Sequence, residues 1–347
     1  MKKFKGIIVL VLALALIAVA LCGCGQTDTK TASTTERTVV DMAGRTVTLP
    51  EEINSIGTFG SIGVINTFVE LMGEGDKICN DMSASFTKTD QWKYQYVFAP
   101  QIKGAPIFEN ASREIQMEEV LKTKPDLCIA MSKDVVAALE AQGLNVIYLE
   151  WNNSEDVKQC VTLLGEVFNK QDVAKDYISY FDEMVAKAAE LTKGISDADQ
   201  KAVLYGNIAE FTQPHVIAEW WIPKAGGISV TDNGRTDGEL VYTFEDILKW
   251  NPDTMVFMKK SSSNDILSDK RLANINAIKN NAIYYIPTVA HVWGNRTPEQ
   301  PLTIMWMMNK LYPEIKSYDD LAGDIKYFYS HFFNYNMSDK EIAEIIS

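Results

Sequence analysis

The segment EEVLKTKPD at residues 118–126 recurs 127 residues later as EDILKWNPD at 245–253, and this repeat indicates the fold. The copies share five identical positions, which include the leading glutamate and the closing proline–aspartate pair. An acid-led apolar segment that stops before a proline is typical of a short helix. The apolar runs that follow, LCIAM and TMVFM, are typical of buried strands in a parallel sheet. Two such helix–strand units predict two similar lobes.

The segment between the two copies predicts the connection between the lobes. Residues 170–193 contain no glycine or proline, and Tyr177, Phe181 and Met184 lie on one side of a helix built from them. At 1.5 Å per residue this helix would be about 36 Å long, enough to pass from one lobe to the other. We therefore predict an α/β fold of two α/β lobes with mainly parallel sheets, joined by a single long backbone helix.

The N-terminus predicts export and attachment to a membrane. Lysines precede the apolar run 7–21, which ends in Leu-Cys-Gly-Cys at 21–24. This ending resembles the lipobox of bacterial lipoproteins, in which the cysteine, here Cys24, is lipidated and becomes the mature N-terminus. Acylation of Cys22 is the poorer alternative, since Leu21 would then precede the cut. An uncleaved membrane helix is the other alternative, but fifteen apolar residues fall short of the about 20 that a span needs.

These patterns divide the chain into five parts. They are a lipoprotein signal peptide at 1–23, a flexible tether at 24–37, an N-terminal lobe at 38–168, an inter-lobe helix at 169–194 and a C-terminal lobe at 195–347.

Composition restricts the possible functions. The chain carries a net charge of −13, and removing the three lysines of the signal peptide would bring it to −16, which argues against binding to nucleic acid. Beyond the signal peptide only three cysteines remain, without CxxC spacing, and the chain has three histidines. No GxSxG or HExxH motif is present. We therefore expect no enzyme, no metal centre of the protein's own and no cofactor.

Four segments together resemble the periplasmic-binding-protein family that delivers ferric siderophores, haem and vitamin B12 to ABC importers. They are DMAGRTVTLP at 41–50, KPDL at 124–127, WNPD at 250–253 and AIYYIP at 282–287. The resemblance covers roughly residues 38–313. It implies a ligand cleft between the lobes and an ABC permease dimer with its ATPase as partner. With the lipid anchor, it implies a monomeric protein on the extracytoplasmic face of the cell membrane.

The resemblance also implies a docking role for one glutamate in each lobe. In this family such a glutamate, seven residues before the lobe's proline, pairs with arginines of the permease, and Glu118 and Glu245 occupy these positions. Matched charges on two lobes suit a two-fold symmetric partner. The alternative is that both are ordinary acids in the first turn of a helix, favoured by the helix dipole.

Loops at the carboxyl ends of strands are expected to line the cleft. The predicted ligand-binding residues are Phe59, Ser61 and Met82 in the first lobe, and His215, Trp220, Trp221, His291, Trp293 and Arg296 in the second. We expect Trp293 and Arg296 on one face of the cleft, with Phe59 and Ser61 opposite. The alternatives are core packing for the tryptophans, a surface salt bridge for Arg296 and an ordinary loop position for His291.

Three classes of ligand are compatible with these residues. A ferric siderophore or a corrinoid suits the aromatic lining and the resemblance. Haem would take His215 or His291 as axial ligand. A small oxyanion such as molybdate or tungstate would use Arg296, Ser61 and backbone amides. A surface adhesin is a further alternative from a different class, and it would need no enclosed cleft.

Overall fold

The computed structural model describes residues 37–60, 63–83, 86–87, 90–213, 215–236, 238–258 and 264–346. The strands are β1 (Thr38–Val40), β2 (Thr46–Thr48), β3 (Ile56–Phe59), β4 (Leu127–Ala130), β5 (Val146–Tyr148), β6 (Lys201–Gly206), β7 (Thr212–Gln213), β8 (Gly227–Ser229), β9 (Leu240–Val241), β10 (Thr254–Phe257) and β11 (Ile283–Tyr285).

Helices alternate with these strands. They are α1 (Val64–Leu71), α2 (Gln95–Phe98), α3 (Met117–Thr123), α4 (Lys133–Glu140), α5 (Ser154–Val167), α6 (Gln171–Thr192), α7 (Ala218–Lys224), α8 (Phe244–Trp250), α9 (Asn264–Leu267), α10 (Asn276–Lys279), α11 (Gln300–Leu311), α12 (Tyr318–Phe332) and α13 (Asp339–Ile346). Within the described ranges no helix is both long enough and apolar enough to span a bilayer.

Each lobe is built on its own parallel sheet. The first sheet has the strand order β3–β4–β5, and the second has the order β11–β10–β6–β8. Every residue of β4 and of β10 is buried. Fully apolar strands are expected in a parallel sheet because helices cover both of its faces. The predicted α/β fold with two lobes is confirmed.

The two copies of the repeat have the same local structure. Helices α3 and α8 end at Lys124 and Asn251, whose φ angles of 52° and 44° place them in the left-handed region. A proline follows each residue and prevents the helix from continuing. Asp126 then accepts hydrogen bonds from the backbone of residues 54 and 55, which lead into β3. In the second copy Asp253 accepts one from the backbone of β6. The repeated proline–aspartate pair therefore joins a helix to the neighbouring strand.

Helix α6 connects the two lobes. Its 22 residues would extend about 33 Å at the standard rise, and Tyr177, Phe181 and Met184 form part of its buried face. It packs against α5 of the first lobe and against α7 and α11 of the second. One continuous apolar cluster includes this face of α6 together with Ile129 of the first sheet and Val256 of the second. The two lobes therefore share this cluster, and each lobe has a smaller apolar cluster of its own.

Candidate functional site

A cavity of about 430 Å³ lies between residues of the first lobe and residues of the second. Its position follows from the sheets, because the loops that leave the carboxyl ends of parallel strands meet at one edge. Residues after β4 and β5 form much of one wall, and the loop after β11 forms part of the other. The lining residues are Val64, Arg113, Met131, Tyr148, Leu149, Glu150, Trp151, Asn152, His215, Ile217, His291, Asn295 and Arg296.

Arg296 brings positive charge to the wall formed by the second lobe. Its side chain is partly buried, and its Nε is buried without a hydrogen-bond partner among the described residues. Burial lowers the pKa of Arg296, and the charge of Asp156 acts in the opposite direction. Burial and the nearby charge of Arg296 also lower the pKa of His215. The site therefore holds a cation beside a histidine that is biased toward its neutral form.

Arg113 brings a second positive charge from the opposite lobe. It is exposed, it lines the cavity, and no ion pair of its side chain is found in the described part of the chain. It also lines a smaller cavity of about 30 Å³ in the first lobe. The two arginines therefore face the same space from opposite lobes, an arrangement that favours an anion between them.

Glu299 holds the loop that carries His291 and Arg296. Its buried carboxylate accepts hydrogen bonds from the backbone N–H groups of Ala290 and His291, at 2.9 and 2.7 Å. It also accepts one from the indole N–H of Trp293, at 3.2 Å, and one from the hydroxyl of Tyr329. Burial raises the pKa of Glu299 to about 7, although these hydrogen bonds lower it.

His291 is placed differently from His215. It lines the cavity but is only 4% exposed, and its ring lies 5.3 Å from that of Trp92. Burial lowers its pKa to about 4, so the imidazole is neutral at pH 7. His215 lines the same cavity and is more exposed than His291. His215 is therefore the more accessible of the two to a bound ligand.

The structure brings together three of the predicted ligand-binding residues, which are His215, His291 and Arg296. Met82 lines only the smaller first-lobe cavity. Trp220 is half-buried, lines a different cavity and contacts Phe181 of α6. Ser61 and Cys24 lie outside the described residues.

Three aromatic residues predicted to face the cleft lie in the core instead. Trp293 is fully buried, because the carboxylate of Glu299 satisfies its indole N–H away from the cavity. Trp221 is also fully buried and packs edge-on against Tyr205. Phe59 is 1% exposed and stacks on Phe108. The prediction of cleft positions for these three rings is wrong.

Sequence reasoning missed several residues of the first wall. Glu150, Trp151 and Asn152 directly follow β5, so the rule that ligands meet strand ends would have found them. Arg113 has no comparable signal, because it lies in a turn before α3 and not after a strand. No cluster of three or more metal-ligating side chains was found in the described part of the chain.

The two glutamates of the repeat lie away from the cavity. Glu118 in α3 and Glu245 in α8 are both exposed, and each lies in the first turn of its helix. Their surroundings differ, since Arg271 lies over the ring of Phe244, next to Glu245 in the chain. The structure thus leaves both carboxylates accessible to a partner.

A family model described as "Periplasmic binding protein" matches residues 67–290. The chain belongs to this family. Members are solute-binding proteins of ABC importers and are not a class of enzymes, so this chain is an extracytoplasmic binding protein that works with a permease and its ATPase.

The relatives of the chain are named for different ligands. The molybdate-binding protein MolA of Haemophilus influenzae is 21% identical, over 86% of this chain and 91% of its own length. The petrobactin-binding protein YclQ of Bacillus subtilis is 25% identical, over 50% of this chain and 59% of its own length. The iron(3+)-hydroxamate-binding protein YxeB of the same organism is 25% identical over 37% of this chain and 35% of its own length.

Solved structures show the same fold. A periplasmic solute-binding protein from Veillonella parvula superposes with a TM-score of 0.77 at 24% identity, over 89% of this chain and 96% of its own. MolA bound to molybdate superposes with a TM-score of 0.74 at 18% identity, over 87% of this chain and 99% of its own. At identities this low, the superpositions establish the fold but do not identify the ligand. The ligand is therefore inferred from the chemistry of the cleft.

Proposed function

We propose that this protein captures an anionic ferric siderophore in the cleft between its lobes and delivers it to an ABC importer. The observation that carries the proposal is the pair Arg113 and Arg296, which face one cavity from opposite lobes. A ligand that touches both arginines contacts both walls at once. Such a contact makes affinity depend on the relative position of the lobes.

The charge balance of the chain strengthens this argument. The protein is strongly acidic, so most of its arginines and lysines have carboxylates to pair with. Arg45, Arg235 and Arg271 each form a salt bridge with an acid. A partly buried arginine without such a partner costs free energy, and an incoming anion offsets this cost with charge-assisted hydrogen bonds. Arg296 is such a residue.

The cavity also suits the size of a metal chelate. Its volume of about 430 Å³ lies in the range of pockets for small organic ligands. Trp151 and Tyr148 supply aromatic surface beside the arginines. The neutral imidazole of His215 is available to donate a nitrogen to a metal centre, which keeps haem among the ligands to be tested.

A small oxyanion is the second candidate, because the relative that matches this chain over most of its length is a molybdate-binding protein. Arg113 and Arg296 would serve an oxyanion equally well as charged donors. The cavity would then be much larger than its ligand, and water or closure of the lobes would have to fill the remainder. The size of the cavity therefore favours the chelate.

Attachment to the membrane through lipidated Cys24 belongs to the same proposal, and its support is the sequence at 21–24. A diacylglycerol group on a polar tether would keep a monomeric binding protein near its permease. Replacing Cys24 by serine should release the protein into the soluble fraction and abolish labelling with radioactive palmitate. Labelling that persists in the variant would contradict the assignment.

Titration of purified protein without a tag tests the choice of ligand. Ferric tris-catecholate, a ferric hydroxamate, haem, cobalamin and sodium molybdate would be added separately, with tryptophan fluorescence and native mass spectrometry as readouts. Trp151 lines the cavity, so occupation should quench its fluorescence. Saturable binding of the ferric catecholate at one equivalent is expected. Binding of molybdate alone would support the second candidate, and binding of none of the five probes would overturn the proposal.

A further inference from the structure

The backbone of one residue of the cleft loop, Ala290, is held from both lobes at once. The N–H of Ala290 donates to Oε1 of Glu299, in the second lobe, at 2.9 Å. The carbonyl oxygen of Ala290 accepts a hydrogen bond from Nε2 of Gln95, in the first lobe, at 2.6 Å. The next residue, His291, lines the cavity. The position of the loop therefore depends on contacts with both lobes.

The contact with the first lobe continues as a buried polar chain. Oε1 of Gln95 accepts from the amide of Asn66 at 2.9 Å, and Oδ1 of Asn66 accepts from the hydroxyl of Thr58 at 2.7 Å. Thr58 lies in β3 of the first sheet. Gln95 is fully buried, so these bonds do not compete with bulk water. The chain connects the loop of the second lobe to the sheet of the first.

On the side of the second lobe, Glu299 holds the loop through several hydrogen bonds. Glu299 accepts from Ala290, His291, Trp293 and Tyr329, so one carboxylate organises the backbone and a side chain of the loop. Asn295 lies four residues after His291 in the chain and immediately precedes Arg296. A loop fixed at Ala290, His291 and Trp293 has little freedom left at Arg296.

We propose that Gln95 and Glu299 are positioning residues, which clamp the backbone of Ala290 and thereby set the distance between Arg296 and the wall that carries Arg113. The clamp determines how wide an anion the cleft accepts. Its effect on affinity rests on the proposed function, in which Arg296 contacts the ligand. The order that it imposes on the loop exists in the empty protein and is measurable without a ligand.

Hydrogen exchange of the ligand-free protein tests the clamp itself. The variant Gln95→Met keeps the length of the side chain and removes both of its polar atoms. The variant Glu299→Gln alters the contact with the second lobe. Both variants should increase deuterium uptake in peptides that cover residues 288–297. The control is Gln101→Met, because Gln101 is a glutamine whose Nε2 donates to the backbone carbonyls of Gly75 and Ile78 and makes no hydrogen bond with the loop. Equal uptake in wild type and both clamp variants would overturn the proposal.

Affinity for ferric tris-catecholate tests the link to Arg296. Gln95→Met should weaken binding about fivefold to tenfold, in keeping with the loss of a buried hydrogen bond. In an Arg296→Ala background the same substitution should have almost no effect, because the residue that it positions is absent. The same fivefold to tenfold loss in the wild-type and Arg296→Ala backgrounds would show that Gln95 has a merely structural role. An equal loss of affinity from Gln101→Met would show the same. If wild type binds no probe, the proposed function fails, while hydrogen exchange still decides the clamp.

Discussion

The two lobes use the same helix–strand unit but present it differently. In both copies a left-handed residue, a proline and an aspartate join the helix to a neighbouring strand, which explains why these positions are the ones that repeat. The helix N-termini differ, because Thr243 caps α8 in a reciprocal capping box whereas α3 has no side-chain cap. The shared sequence therefore maintains the sheet, while the exposed ends of the helices vary independently.

The cleft walls show a similar contrast. Arg113 of the first lobe is exposed, whereas Arg296 of the second is partly buried and held in a loop that Glu299 organises. Both histidines that line the cavity, His215 and His291, also belong to the second lobe. The second wall is therefore the ordered and pH-sensitive one, and the first supplies accessible charge. Substitutions in each lobe test this contrast.

Reversing the repeated glutamates should have the largest effect. Glu118→Arg and Glu245→Arg should each abolish uptake, because like charges at the permease cost several kcal/mol, while ligand affinity stays within about twofold. Uptake of radiolabelled iron chelate by cells measures both. Glu190→Arg, an exposed acid of α6, is the control, and full uptake by the double variant would refute docking.

Truncating the two cleft arginines should give unequal losses. Arg296→Ala should weaken binding of the ferric catecholate by about 1.5–3 kcal/mol, the range for a hydrogen bond to a charged group. Arg113→Ala should cost about 0.2–1 kcal/mol, because its charge is exposed and screened. Isothermal titration calorimetry measures both, with the surface residue Arg271→Ala as control. A larger loss of affinity from Arg113→Ala than from Arg296→Ala would show that the first wall, and not the second, is the ordered one.

Acidification should act on stability through the buried His291. Its pKa is lowered to about 4, so the folded state binds fewer protons than the unfolded state between that pH and the ordinary value of 6.5, and stability falls as pH falls through this window. His291→Gln removes this loss. Its stability relative to wild type should be about 2 kcal/mol more favourable at pH 5 than at pH 7. Urea unfolding measures this difference.

Glu299 acts in the opposite direction in nearly the same window. Its pKa is raised to about 7, so the folded state binds more protons than the unfolded state between the ordinary value of 4.5 and 7, and stability rises as pH falls. Wild type should therefore show a flatter pH dependence than either single variant. A difference between His291→Gln and wild type that does not change with pH would contradict the buried, neutral histidine.

The smallest effect concerns the helix caps. Thr243→Ala should destabilise the protein by about 1 kcal/mol, because Thr243 accepts a hydrogen bond from the backbone N–H of Asp246 at the start of α8. Gln116→Ala, at the equivalent end of α3, should change stability little, since Gln116 provides no cap. Thermal unfolding followed by circular dichroism compares the two. Equal losses would show that α3 depends on a cap as much as α8 does.

Much of the fold was predictable from the sequence, because it depends on local patterns. The repeat, the 22-residue connector and the hairpin of β1 and β2 each have a signature in periodicity or turn residues. The site was predictable only where chain position determines it, as at His215, His291 and Arg296 after the strands. The aromatic rings could not be placed, because the burial of Trp293 depends on Glu299 and Tyr329, which are distant partners that no local pattern reveals.

The core that runs beneath both sheets has a consequence for the thermodynamics of release. Because Ile129, Phe181 and Val256 belong to one apolar cluster, the lobes should melt together in a single calorimetric transition. Opening the cleft widely would expose part of this cluster to water, at roughly 25 cal/mol for each Å². We therefore expect wide opening of the cleft to be rare, and a bound ligand to leave the isolated protein slowly.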